Sequence, residues 1–221
     1  MNEAVTKTAQ RRAREREQRY QTILAAAEAL FAKEGYHGAS MERIADAAEV
    51  SVGTVYFYFK NKEDLLVHLL ADIGFRIREL TGREFSRAAA SLAGFERAGL
   101  AFFREFCLKH PEKISIFFRE SVGQSVLVET ERKKIFDKFI GDIAGALARL
   151  CANMGWRFRS PHSAEVMAVS IVGMYERVAY QYLIWNDRSG ELEAVAADAM
   201  AFILGGVESL VIKEGQGAAC I

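Results

Sequence analysis

The stretch Ser40–Leu66, SMERIADAAEVSVGTVYFYFKNKEDLL, constrains this 221-residue chain more than any other. Met41, Ile44, Ala45 and Ala48 fall at i, i+3, i+4 and i+7, the apolar stripe of a short helix, and Ser40 stands ahead of it as a capping hydroxyl. Glu49 and Val50 form a turn. A second short helix follows from Ser51, in which Val52, Val55 and Phe59 share the side that must face the first helix. Gly53, Thr54 and Phe57 are left facing outward, flanked by Tyr56 and Tyr58. A purely solvated helix would carry Glu and Lys there, whereas small, hydroxylated and aromatic groups suit a DNA major groove. The pattern predicts a helix-turn-helix.

Each outward group has a use on a duplex. Thr54 offers a hydroxyl and a methyl to base edges, and Gly53 lets the backbone come close. Tyr56 and Tyr58 each carry a phenol that reaches a phosphate oxygen. Lys60 and Lys62 bracket Asn61 where a new helix starts with Glu63 and Asp64, so exposed amides and an ammonium point the same way, as phosphate requires. The competing reading is a plain helical core, since short amphipathic helices with Tyr and Phe are usually just that. Against it stand the helix stop, the capping Ser, the two stripes and the Lys-x-Glu-Asp restart, all in order within a short span.

This segment resembles the DNA-binding domain of the tetracycline-repressor (TetR) family of bacterial transcription regulators. The matching residues are Ile44-Ala45, Gly53-Thr54-Val55-Tyr56 with Tyr58-Phe59, and Lys62-Glu63-Asp64-Leu65-Leu66. The preceding helix also fits, with Ile23, Leu24, Ala27, Leu30 and Phe31 as its buried stripe and Gly35 as its stop. The resemblance covers roughly Arg19 to Leu66. It implies base or phosphate contacts for Ser40, Ser51, Thr54, Tyr56, Tyr58 and Lys62, and inward packing for Val55 and Phe59. Family members often carry a polar or tyrosyl group where this chain has Phe57, whose ring reads only a thymine methyl or packs on sugar.

The rest of the chain supports an all-α protein: an N-terminal three-helix DNA-binding domain and a larger helical body. Its two prolines, Pro111 and Pro161, interrupt no periodic segment. We divide the chain into a basic arm (1–18), the helix-turn-helix domain (19–66), the body (67–213) and a flexible tail (214–221). Net charge is zero, but Lys7, Arg11, Arg12, Arg14, Arg16 and Arg19 outweigh Glu15 and Glu17 in and beside the arm. That excess either tracks phosphates or a minor groove, or marks a solvated, frayed terminus. Helices are expected over about 62–80, 91–109, 111–120, 124–154, 162–186 and 192–213, with a turn around 155–163.

Cys107, Cys151 and Cys220 are widely spaced, and no His, Cys or acidic cluster has metal-ligand spacing. Free buried thiols in a reducing cytoplasm fit best. No cofactor motif, nucleophile elbow or Walker lysine loop is present, and Gly215-Gln216-Gly217 is a fragment in the wrong context, so catalysis is not expected. Neither a secretory leader nor a membrane-spanning apolar run is seen.

In the last helix Leu192, Val195, Ala196, Ala199, Phe202, Ile203, Gly206 and Leu210 make a seam of alternating small and large residues. The helix before it is apolar over much of its circumference, through Val166, Val169, Ile171, Val172, Met174, Tyr175, Val178 and Tyr182. Two such helices near the chain end predict a four-helix homodimer interface, which the family resemblance also implies; the alternative is internal core of a monomer. Dimerisation would let two short reading helices read a palindromic operator in double-stranded DNA.

The resemblance further implies a small-molecule pocket in the body. Its candidate lining is Phe103, Phe106, Phe117, Phe118, Phe136, Phe139, Met174, Tyr175 and Arg177, which would favour an apolar or aromatic effector. The same rings also read as packed core. An inward Arg177 would admit a carboxylate or acyl thioester, and an inward Glu176 a cation. The expectation is a repressor released by such an effector, with a same-fold chromosome-organising protein lacking any effector as the alternative.

Overall fold

The computed structural model describes residues 2–213, with side chains from residue 8 onward. The expected tail 214–221, Cys220 within it and the side chain of Lys7 lie outside the described residues. Helix α1 (Asn2–Gly38) runs without a break through the boundary placed at residue 18, so the basic arm is a helical extension of the first helix. Its apolar stripe, Ile23, Leu24, Ala27 and Phe31, is buried. Gly35, at φ +75, breaks the helical path at the expected stop, a backbone state in which a side chain would be strained.

Helices α2 (Met41–Ala47) and α3 (Val52–Tyr58) are each capped by serine: Ser40 accepts from the Arg43 amide and Ser51 from the Thr54 amide. Between them Glu49 takes a left-handed conformation (φ 53) and makes the turn. Asn61 caps α4 (Lys62–Ser86), which starts in the head and ends deep in the body. Leu65, Leu66, Leu69 and Leu70 anchor it in one core with Ile23, Phe31, Ile44, Val55 and Phe59.

The body adds α5 (Leu92–Ala101), α6 (Pro111–Ser115), α7 (Val126–Met154), α8 (Ser163–Ala179) and α9 (Leu192–Ser209). Three of the expected helical stretches end in wide π-helical turns, at Phe102–Cys107, Ile116–Glu120 and Tyr180–Trp185. A π turn inserts an extra residue per turn. The first of them buries Phe102, Phe103, Phe106 and Cys107 together. Helix α4 lies against α7 so closely that a Cβ on Gly74 would fall 2.6 Å from Ile135 Cγ2.

Two expectations are corrected here. The turn after α7 holds a strand, β1 (Trp156–Phe158), paired antiparallel with β2 (Val211–Lys213), so the last helix stops at Ser209 instead of reaching residue 213. Lys213 seals the pair by placing its ammonium 4.8 Å over the Trp156 ring. The seam read along the last helix is also largely internal. Leu192, Ala196, Ala199 and Ile203 are buried in their own chain, because α9 packs on α5, on α8 and on the Phe102–Cys107 turn. The small and apolar residues left exposed on these helices include Val166, Val169 and Gly173 of α8, with Ala201, Phe202 and Gly205 of α9. Cys107 and Cys151 are buried free thiols, and burial pushes both thiols upward, away from the reactive thiolate. No described helix is long and apolar enough to cross a membrane.

Candidate nucleic-acid interface and ligand cavities

The expected reading surface assembles on α3. Val55 is fully buried, whereas Gly53, Tyr56 and Phe57 are exposed and Thr54 is half-buried. Ser51 Oγ lies 2.8 Å from Thr54 Oγ1, so the two hydroxyls hold each other in place at the start of the helix. Tyr58 is half-buried, and its phenol donates to the Arg16 carbonyl at 3.3 Å. Phe57 is 71% exposed with the Arg16 guanidinium 5.8 Å over its ring, so the helical extension of α1 and the reading helix form one surface.

Lys62 is placed differently from its expected free phosphate contact. Its ammonium donates to the carbonyls of Tyr36 (2.7 Å) and Ala39 (2.8 Å) and stands 4.5 Å over the Tyr36 ring. Burial pushes this amine below its ordinary value. Two of its three protons thus close the end of α1, where Gly35 has broken the helix, and one is left over. Sequence reasoning saw the charge beside a helix start but not the orphan carbonyls across the chain that claim it. Lys62→Met is expected to lower stability by about 1–3 kcal/mol, the range for bonds from a charged donor. An unshifted denaturant midpoint would remove this clamp.

In the body, a cavity of about 340 Å³ opens between α4, α5, α7 and α8. Of the expected lining, Phe118, Phe136, Phe139 and Tyr175 are present. Phe103, Phe106 and Phe117 are packed core instead, at 0, 3 and 0% exposure. Met174 packs against a separate core cluster that includes Phe85, Phe95, Leu147 and Met200, and Arg177 lines a second cavity. Phe103 and Phe106 have the same i, i+3 spacing as Phe136 and Phe139, so spacing alone does not separate core rings from lining rings. The residues missed are Phe85 and Phe95, and the polar groups Arg78, Thr81, Asp142 and Arg149. Arg78 Nη2 donates to Asp142 Oδ1 at 3.1 Å, tying α4 to α7 across the cavity wall. Tyr175 stacks on Phe102 at 5.0 Å and donates to Met200 Sδ at 3.3 Å; burial holds its phenol well above the usual tyrosine range.

Residues 23–69 match the family of bacterial regulatory proteins, tetR family. The head is thus of the tetR family, over 47 of the 221 residues. Among its tetR-like relatives, a fatty acid metabolism regulator protein of Bacillus subtilis is 44% identical over 54 residues, 24% of this chain and 28% of that protein. The transcriptional repressor NicS of Pseudomonas putida is 29% identical over 118 residues, covering 52% of this chain and 54% of NicS. The chain thus spans about half or less of the length of these curated relatives. In fold, the transcriptional regulator FadR of Bacillus subtilis, solved in complex with stearoyl-CoA, superimposes with a TM-score of 0.73 at 22% identity, over 85% of this chain and 98% of FadR. The tetR match ends inside α4, so it covers the head and none of the cavity.

Proposed function

We propose that this chain is a homodimeric transcriptional repressor that binds a palindromic operator through α3 and is released by a small apolar or aromatic effector in the body cavity. The observation that carries this reading is the continuity of α4. Lys62 at one end is clamped to the head, and Ile77, Arg78, Thr81, Gly82, Phe85 and Ser86 at the other end line the cavity. A ligand that parts α4 from α7 must therefore disturb the head, and it shifts the DNA-bound population only by binding the two arrangements unequally. Two further ties join body and head: the Lys113–Glu28 ion pair, and Glu120, whose carboxylate accepts the Tyr36 amide at 2.9 Å beside Gly35. The ring-lined cavity supports an apolar effector, and the stearoyl-CoA bound by FadR is a ligand with such a body. For the dimer, the open face of Val166, Val169, Ala201, Phe202 and Gly205 replaces the seam first read from the sequence.

The test is to incubate the protein with sheared DNA of its source genome at near-physiological salt and sequence what is retained. One or a few palindromic sites support a local repressor, and dispersed enrichment favours a chromosome-organising role. Failure to enrich any site would sink the helix-turn-helix assignment. On a retrieved site, Tyr56→Phe is expected to weaken all sequences alike, whereas Thr54→Val shifts preference at one base position by about 1–3 kcal/mol. Equal losses on specific and random DNA for both variants would overturn those roles.

A further inference from the structure

Beside the aromatic cavity lies a second, more open one of about 650 Å³, lined by Arg119, Arg132, Arg177, Glu176, Phe118 and Trp185 among others. Three guanidinium groups face it against one carboxylate. Arg132 is the unusual member, a charged side chain only 8% exposed at the junction of α7 with the Ile116–Glu120 turn. Its Nη1 donates to the Phe117 carbonyl and to Ser121 Oγ. Its Nε has no hydrogen-bond partner among the described residues. Glu129 Oε2 stands 3.4 Å from that atom but outside hydrogen-bond geometry. A buried guanidinium with an unused donor is costly unless an anion meets it.

The neighbouring groups are arranged to the same end. Arg177 lies 4.3 Å over the Trp185 ring, a stacking that fixes the guanidinium and keeps its in-plane N–H groups available. Arg119 is held by Glu120 through one bond of 2.7 Å from Nε. Glu176 is the one carboxylate in the lining, while Glu129 and Glu120 pair with Arg132 and Arg119 from outside it; burial raises the Glu176 carboxyl above the ordinary range while Arg132 pulls it back. Phe118 and Glu176 line both cavities, so the cationic space and the aromatic space adjoin.

We propose that the second cavity is an oxyanion subsite, in which Arg132, Arg177 and Arg119 hold a phosphate or carboxylate group of an amphiphile whose apolar part fills the aromatic cavity. The amphiphile rests on the effector reading above; the anion site stands on Arg132 and its neighbours. An anion seated there is one ion pair from the head, since the same Glu120 that holds Arg119 also accepts the Tyr36 amide.

Trp185 supplies the probe. The chain's other tryptophan, Trp156, lies on β1, so a Trp156→Phe background isolates the signal. Three compounds would be titrated below any micelle concentration: sodium pyrophosphate, dodecyl phosphate and dodecanol. Pyrophosphate is expected to change Trp185 emission, and dodecyl phosphate to bind at least about tenfold tighter than dodecanol, as hydrogen bonds to charged groups give. Arg132→Met and, because a buried change can unfold the protein, the more exposed Arg177→Met are each expected to reduce that preference by about tenfold while dodecanol still binds. Equal binding of phosphate and alcohol with pyrophosphate silent overturns the subsite, as does a preference that survives both variants. A pyrophosphate response with neither dodecyl compound bound keeps the anion site and counts against the aromatic cavity as the effector site.

Discussion

Phe202→Asp is expected to turn the proposed dimer into monomers and to reduce binding at the proposed operator to the level of random DNA. Phe202 is 72% exposed on α9 and makes no part of the chain's own core, so the fold should survive the change. A two-fold contact counts every substitution twice. Two rings are lost at roughly 3 kcal/mol each, and two carboxylates are brought into an apolar seam, so dimer affinity falls by at least about a thousandfold. Sedimentation at micromolar concentration, with a thermal melt to confirm folding, decides the matter. A folded Phe202→Asp protein that still sediments as a dimer would move the interface away from α8 and α9.

The second large effect is expected from Phe59→Ala. Phe59 ends α3 with 0% exposure, its ring stacked on Tyr20 at 5.2 Å and meeting His68 edge-on at 5.4 Å. Truncating a fully buried Phe costs about 3–5 kcal/mol, a large part of a typical domain's net stability. The urea midpoint should drop accordingly, and operator binding should vanish as Tyr58 loses the support beneath it. Phe57→Ala two residues earlier is the contrast: it removes an exposed ring and should alter stability by no more than about 0.5 kcal/mol while changing DNA affinity. Similar midpoints for the two variants would show that the inward and outward faces of α3 have been misread.

The head was legible because its signals are local. Ser40, Ser51 and Gly35 each act within a few residues, and the two stripes, Met41, Ile44, Ala45 and Ala48 and then Val52, Val55 and Phe59, each repeat at helical period, so spacing and capping chemistry suffice. The body was legible as helices but not as a site. Phe117 and Phe118 are sequence neighbours and both buried, yet only Phe118 reaches the cavities, a distinction that spacing does not carry. Trp156–Phe158 and Val211–Lys213 are too short for alternation to declare a strand and pair only across more than fifty residues. Lys62 and Arg132 were misjudged or missed for one reason: charge is read from sequence as solvated, and only tertiary contact shows which charge has been taken inside.

The close approach at Gly74 gives α4 a fulcrum. Gly74 sits midway between Lys62 and Ser86, about 18 Å from each end at helical rise, with Ile135 pressed against a point on the helix that has no side chain of its own. A beam balanced at its centre returns at one end the displacement applied at the other, equal in size and opposite in direction. In the proposed two-fold pair both beams would tip together, so the gap between the two α3 helices would change by up to twice the movement at either cavity. The proposed effector would then have to spread its walls by only an ångström or two for the pair to lose step with grooves spaced roughly 34 Å apart.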